Sequence, residues 1–169
     1  MHLPELDGLE TLAVSIEDNI AHIQLNRPAQ LNSMNAAFWR ELPAVVNALD
    51  REAAARAIVI SSTGKHFTAG MDLNVFASMG GSFDGEPSRR GERFRHWVME
   101  LQDSFTALEK VRIPVLVAVQ GGCIGGGVDM VCAADSRYCT ADAFFTIKET
   151  ALGMTADVGT LQRLGHVMP

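Results

Sequence analysis

Three acidic residues, Asp129, Glu149 and Asp157, have mainly apolar or small neighbours in the second half of the sequence. A carboxylate in such surroundings loses part of its hydration, and its pKa rises towards values that suit proton transfer. If the three groups share one pocket, their like charges move the individual pKa values further apart. The pattern therefore predicts general acid–base chemistry.

Each of these residues also has a purely structural interpretation. Asp129 could lie in the first turn of a helix, and Asp157 could cap a helix N-terminus. Considered one at a time, acidic residues are more often found at the surface or at helix caps than in catalytic pockets. The carboxylates alone leave both interpretations open.

Two glycine-containing loops, 64–73 and 121–127, each follow a segment with the composition of a buried strand. Small residues such as Ala69 and Gly70 let a ligand approach backbone N–H groups closely. The second loop leads into a predicted helix, whose free N-terminal amides attract negative charge. Together the loops could hold one developing oxyanion, which is typically stabilised by about 3 to 4 kcal/mol per donor.

Either loop on its own could simply form a tight turn. Neither loop matches the phosphate-binding pattern GxxxxGK[ST] or the GxGxxG spacing of dinucleotide-binding folds, so these two kinds of nucleotide site are disfavoured.

The apolar pattern predicts a single α/β domain over residues 1–169, because short strand-like runs alternate with amphipathic helical stretches. The first two runs, separated by a polar turn, predict a β-hairpin. The predicted strands are residues 11–16, 20–25, 57–61, 114–119, 136–139 and 144–147.

Two long helices are predicted over residues 35–49 and 92–110, where apolar residues recur on one helical face. Asn35 can cap the first helix, and Pro43 inside it predicts a kink or a break. Residues 78–91 contain few apolar side chains and much Gly, Ser and charge, which predicts a mobile loop.

The composition disfavours several functions. The net charge is −6 and no basic stripe is present, which argues against a nucleic-acid partner. No apolar run approaches the roughly 20 residues needed to span a bilayer, so no membrane association is expected. Residues 1–8 have no features of a secretory signal, and we expect a cytoplasmic protein with reduced, mostly buried cysteines.

Four segments of the sequence are Leu25-Asn26-Arg27-Pro28, Gly64 to Leu73, Gly121 to Asp129 and Lys148 to Leu164. In their residues and their order they resemble the crotonase (enoyl-CoA hydratase/isomerase) superfamily. Within the superfamily the chain is most similar to the Δ3,5-Δ2,4-dienoyl-CoA isomerases, since Asp157 adds a third carboxylate to the two that hydratases use.

The resemblance implies a crotonase-like spiral of ββα units that assembles as a homotrimer or as a hexamer built from two trimers. It also implies a C-terminal helical region that normally completes the subunit. Because no such region follows Pro169, we expect the sequence to be incomplete at its C-terminus.

The resemblance further implies roles for individual residues. The N–H groups of Ala69 and Gly126 would form an oxyanion hole for the thioester oxygen of an acyl-CoA substrate. Glu149 would exchange the proton at C2, Asp157 would protonate C6, and Asp129 would tune and orient Glu149. No metal and no cofactor are implied, because coenzyme A is part of the substrate. The residues expected to line the acyl-CoA path are Ala69, Gly70, Met71, Asp72, Leu73 and Gly126.

The implied reaction converts a 3,5-dienoyl-CoA into a 2,4-dienoyl-CoA in fatty acid β-oxidation. Asp129 stands where hydratases of the superfamily usually have Glu, and the shorter side chain favours proton shuttling over hydration. Two alternatives remain: an enoyl-CoA hydratase that uses Asp129, Glu149 and a water, and a truncated, non-catalytic acyl-CoA binder.

Three further residues are weaker candidates. His66 lies beside the first glycine loop, but a single loop histidine is usually solvated. Arg27 and Lys65 could contact the phosphates of coenzyme A, since phosphate recognition needs cations.

Overall fold

The computed structural model describes residues 3–75, 77 and 85–168. The five strands of its main sheet are β1 Leu12–Glu17, β2 Ile20–Leu25, β3 Ala57–Ser62, β4 Val115–Val119 and β6 Ser136–Cys139, and they are neighbours in that order. The predicted hairpin of β1 and β2 is confirmed as an antiparallel pair, and the remaining neighbours in this sheet are parallel.

A second, two-stranded parallel sheet pairs β5 (Gly122–Ile124) with β7 (Phe144–Thr146). It places the second glycine loop beside the strand that leads towards Glu149. A 3₁₀ turn over Lys148–Leu152 follows β7 and contains Glu149. Further 3₁₀ turns cover Pro4–Leu6 and Pro28–Gln30.

The first long helix, α1, covers Ala36–Arg51. Its cap is confirmed, since the Asn35 side chain accepts a hydrogen bond from the Phe38 N–H at 3.1 Å. The helix continues through Pro43 without the predicted break. A proline removes one helical hydrogen bond, and the fully buried Leu42, Val45 and Leu49 of this helix offset that loss by packing into the core.

The second long helix, α2, covers Pro87–Lys110 and so begins earlier than predicted. Glu86 caps it by accepting from the N–H groups of Ser88 and Arg89, and Pro87 has the backbone φ that a first helical residue needs. Residues 87–91 are therefore helical rather than part of a mobile loop. Residues 78–84 of that predicted loop lie outside the described residues.

Helices α1 and α2 pack together over the sheet through the ring of Trp39, which lies 5.2 Å from that of Phe105. Two short helices complete the arrangement around the second sheet: α3 Gly126–Cys132 and α4 Thr160–Val167. Strands and helices thus alternate along the chain, which confirms the predicted α/β class.

The three cysteines are free, with Cys123 and Cys132 buried and Cys139 exposed. Burial raises the pKa of the Cys123 thiol to about 12. Among the helices of the described residues, none is long and apolar enough to cross a membrane.

Candidate active site

A cavity of about 990 Å³ brings Asp129, Glu149 and Asp157 together. Asp129 comes from the first turn of α3, Glu149 from the 3₁₀ turn after β7, and Asp157 from the loop before α4. Much of the remaining lining is an apolar wall formed mainly by helix α2. Its principal side chains are Trp39, Phe94, Trp97, Val98, Leu101 and Met154.

All but one of the backbone N–H groups from Phe67 to Asp72 donate a hydrogen bond within the protein. The exception is the N–H of Met71, for which the described part of the chain offers no acceptor. A parallel β-bridge between Met34 and Met71 explains the exception. Met34 bonds to the residues on either side of Met71, which leaves the amide of Met71 facing away. The engaged amides are those of Phe67, Thr68, Ala69, Gly70 and Asp72, whose acceptors are Gln120 O, Gly122 O, Leu31 O, Thr68 Oγ1 and Met34 O.

This arrangement corrects the assignment of Ala69 as an oxyanion donor. The Ala69 N–H donates to Leu31 O at 2.9 Å and is not free for a ligand, although Ala69 still lines the cavity. Gly70 separates the two amides, since its φ of +83° turns the backbone there. A Cβ at Gly70 would lie 2.5 Å from Ile124 O, so only glycine fits this turn.

Gly126 provides the second free N–H, because the first amides of a helix have no intrahelical acceptor. No other acceptor for it occurs among the residues that the structure describes. A Cβ placed on Gly126 would lie 3.9 Å from the nitrogen of Met71, and one placed on Gly70 would lie 3.3 Å from the nitrogen of Gly126. The amides of Met71 and Gly126 are thus neighbours at one end of the cavity.

The carboxylate of Glu149 lies beside these donors. A Cβ at Gly125, which has a φ of +55°, would be only 3.0 Å from Glu149 Oε1. Burial raises the pKa of Glu149, and the charges of Asp129 and Asp157 raise it further. A carboxylate with these properties is suited to accept a proton.

Asp129 is almost completely buried, with 1% of its surface exposed. Its Oδ1 accepts the N–H of Thr160 at 2.5 Å, which fixes the start of α4 against α3. Burial raises the pKa of Asp129, while hydrogen bonds from Thr160 and Gly159 act in the opposite direction. Within the described residues no hydrogen bond joins Asp129 to Glu149, so Asp129 acts on Glu149 through its charge.

Asp157 lines the cavity but is exposed, so the predicted desolvation is not found there. Its carbonyl oxygen accepts from Gln102 Nε2 of α2 at 2.9 Å, which ties the loop to the apolar wall. The N-cap of α4 is Gly159, and the capping interpretation of Asp157 is therefore wrong.

Of the residues expected along the acyl-CoA path, Met71, Asp72 and Leu73 line the cavity, whereas Gly70 does not. Asp72 is held by Asn74, Ser33 and Arg27, and the hydrogen bond from the Asn74 N–H is the main cause that lowers its pKa.

Neither of the cations considered for phosphate binding lines the cavity. Arg27 instead donates to Ser33 O at 2.6 Å and faces Asp72, while Lys65 is exposed. Among the described residues that line the cavity, Lys148 is the one lysine or arginine. Its adjacency to Glu149 is a sequence signal that could have identified it.

Comparisons with known proteins identify the family of the chain. Residues 15–169 match the protein family described as "Enoyl-CoA hydratase/isomerase". A mitochondrial Delta(3,5)-Delta(2,4)-dienoyl-CoA isomerase of Mus musculus is 48% identical over 155 residues, which are 91% of this chain and 47% of the mouse protein. The peroxisomal isomerase of the same name from Arabidopsis thaliana is 40% identical over 170 residues, covering 99% and 61% of the two chains.

A solved structure from Thermobifida fusca YX, provisionally described as an enoyl-CoA hydratase in complex with acetoacetyl-CoA, has the same fold. It superposes with a TM-score of 0.81 at 31% identity and covers 96% of this chain and 63% of that one. This chain spans about half the length of the curated mouse relative. The prediction of a cytoplasmic protein was wrong, because these relatives are named as mitochondrial or peroxisomal and residues 1–8 do not report the compartment.

Proposed function

The chain belongs to the enoyl-CoA hydratase/isomerase family, and on this premise we propose that it converts a 3,5-dienoyl-CoA into a 2,4-dienoyl-CoA. The observation that most supports the proposal is that one cavity is lined by three carboxylates and by two main-chain N–H groups without an acceptor among the described residues. The mouse and Arabidopsis relatives have the name of this isomerase, which would place the reaction in fatty acid β-oxidation.

The thioester oxygen would lie between the N–H groups of Met71 and Gly126. Removing a proton from C2 of the substrate gives a dienolate whose negative charge lies largely on that oxygen. Main-chain donors that are already in place stabilise such a charge without having to reorganise. The β-bridge to Met34 and the start of α3 hold the two donors in place.

Glu149 would remove the C2 proton. Its carboxylate lies against Gly125, next to the donor at Gly126, which is where the carbon beside a bound thioester carbonyl must lie. The raised pKa makes the ionised carboxylate a stronger base. Asp129 contributes to that shift through its negative charge and holds α3 against α4.

Asp157 would deliver the proton to C6, at the far end of the conjugated system. Asp157 and Glu149 both line the cavity, so the proposed acid and the proposed base can act at different carbons of one substrate. Because it is exposed, it can also take up a proton from solvent after each turnover. The apolar wall of α2 would cover the rest of the acyl chain.

The proposed proton transfers use only backbone amides and carboxylates, and we therefore propose that no metal or redox cofactor takes part. We also propose that the chain associates into homotrimers or hexamers, as the superfamily resemblance implies. The exposed aromatic side chains Tyr138, Phe144 and Phe145 support such association, since they offer apolar surface for burial between subunits.

An assay with two substrates tests the function. A 3,5-dienoyl-CoA and a 2-enoyl-CoA are offered separately, and the ultraviolet absorbance of the conjugated thioester is followed. The isomerase produces a rise with the first substrate. A hydratase would instead produce a fall with the second, and a non-catalytic binder would change neither absorbance while still binding an acyl-CoA in calorimetry.

A further inference from the structure

His66 connects the two loops that supply the free amides. Its Nδ1 lies 3.0 Å from the backbone nitrogen of Gly122. A backbone N–H can only donate, so Nδ1 must be the acceptor and the ring proton of the neutral imidazole must be on Nε2. His66 is half-buried, and the expectation of a solvated loop histidine is therefore wrong.

The surroundings leave little room for the ring to move. Its edge meets the ring of Phe144 with centroids 6.1 Å apart and planes at 75°. A Cβ at Gly121 would lie 2.8 Å from Nδ1, and one at Gly122 would lie 3.4 Å from Nδ1 and 2.9 Å from Cζ of Phe144. The imidazole thus fills the space between the first glycine loop and the start of β5.

Both ends of this contact are close in sequence to the free amides. His66 precedes the segment that ends at Met71, and Gly122 begins β5, which leads directly to Gly126. The relative position of the two amides decides whether both reach one oxygen, because oxyanion donors act at about 2.7 to 3.1 Å. A shift of about 1 Å in a catalytic group can cost roughly 100-fold in rate.

We propose that His66 is a positioning residue whose Nδ1 fixes the loop of Gly126 relative to the loop of Met71. The inference rests on the proposed function, in which these two amides hold the thioester oxygen. Without the acceptor, the Gly122 N–H would lack its hydrogen bond in a partly buried place. The backbone bonds of Thr68 with Gly122 and Ile124 would still join the loops, so we expect a small displacement of the amides rather than a loss of the fold. The role needs the acceptor atom and does not depend on the aromatic ring.

Three substitutions separate the acceptor from the ring. His66→Asn keeps an acceptor oxygen near the position of Nδ1 but removes the ring. His66→Phe keeps the ring contact with Phe144 but removes the acceptor, and His66→Gln moves its acceptor to about the position of Nε2. We expect kcat to fall about tenfold in the Phe and Gln variants and to stay within about twofold in the Asn variant, with KM little changed in all three.

Loss of packing alone predicts the opposite ranking, because the Asn variant removes more ring contact with Phe144 than the Phe variant does. Thermal unfolding of each variant measures that effect separately. The proposal is overturned if the Asn and Phe variants lose activity equally, or if the Phe and Gln variants keep wild-type kcat.

A measurement on the unmodified chain keeps the inference testable even where a variant does not fold. Nitrogen-15 NMR of the histidine side chains should show His66 with an unprotonated Nδ1 and a protonated Nε2, and the reverse tautomer would overturn the proposal. If the wild-type chain does not convert a 3,5-dienoyl-CoA, the proposed function fails, whereas the NMR result still decides whether the hydrogen bond exists.

Discussion

The carboxylate of Glu149 lies directly against the backbone of Gly125, so that a methyl group at Gly125 would come within 3.0 Å of Oε1. Gly125 also immediately precedes Gly126, whose amide is one of the two free donors. The contact therefore links the position of the proposed base to the position of the proposed oxyanion hole.

The first prediction concerns this contact. We expect Gly125→Ala to lower kcat at least about 100-fold, because the added Cβ displaces the carboxylate and the residue is strained at a φ of +55°. Gly8→Ala is the matched control, since Gly8 has a φ of +65° but no atom within 4 Å of its added Cβ. Steady-state kinetics of both variants decide the matter, and equal kcat in the two would contradict the account.

The second prediction distinguishes Met71 from Ala69 as the donor. Replacing either residue by its α-hydroxy acid analogue removes one N–H and leaves the side chain intact. We expect the Met71 ester to lower kcat about 100-fold, because this N–H has no acceptor in the described part of the chain. It should lose less stability than the Ala69 ester, since it only weakens the Gly70 carbonyl that accepts from Met34 and breaks no bond of its own N–H. The Ala69 ester loses its bond to Leu31, and its free energy of unfolding should fall by about 1 kcal/mol. A large loss of kcat in the Ala69 ester alone would restore the original assignment.

The third prediction concerns pH. Glu149 must be ionised to accept a proton, so kcat/KM should fall as the pH drops through its raised pKa, above the usual value of 4.5. Asp129→Asn removes a negative charge that raises this pKa, and the fall should then shift to lower pH. The Asn oxygen can still accept from Thr160. A pH–rate profile that does not move, or that moves to higher pH, would contradict the electrostatic role of Asp129.

The fourth prediction concerns stability. The folded-state pKa of Asp72 is lowered, first by the hydrogen bond from the Asn74 N–H and also by Ser33 and Arg27. Its ionised form therefore stabilises the fold at pH values above the unfolded pKa, and this contribution disappears as the pH falls through the lowered folded-state value. Asp72→Asn should cost about 1 kcal/mol at neutral pH and progressively less in acid. Urea unfolding at several pH values measures the difference, and one that is constant with pH would contradict this origin.

Local patterns in the sequence were sufficient for much of the fold. The hairpin of β1 and β2 follows from alternating apolar residues, and Asn35 caps α1 as its type and position suggest. The start of α2 was missed because Glu86 is an uncommon capping residue. The following Pro87, a usual first residue of a helix, was the sequence signal that could have located it.

The site was less predictable because its decisive features are tertiary. Ala69 and Met71 both belong to the glycine-containing loop 64–73, and only the tertiary contacts of this loop with Leu31 and Met34 show which amide is free. The exposure of Asp157 depends on how its loop meets α2. The contact of His66 with Gly122 likewise joins loops that are distant in sequence.

The central claim is that one cavity removes a proton at one end of a conjugated chain and adds one at the other. It is tested most directly by following C2 deuterium exchange and product formation from a 3,5-dienoyl-CoA in heavy water, for the wild-type chain and for Glu149→Gln and Asp157→Asn. We predict that Glu149→Gln abolishes both processes, whereas Asp157→Asn keeps the exchange at C2 and loses at least about 100-fold in product formation. Product formation at a near wild-type rate in Asp157→Asn would contradict the account.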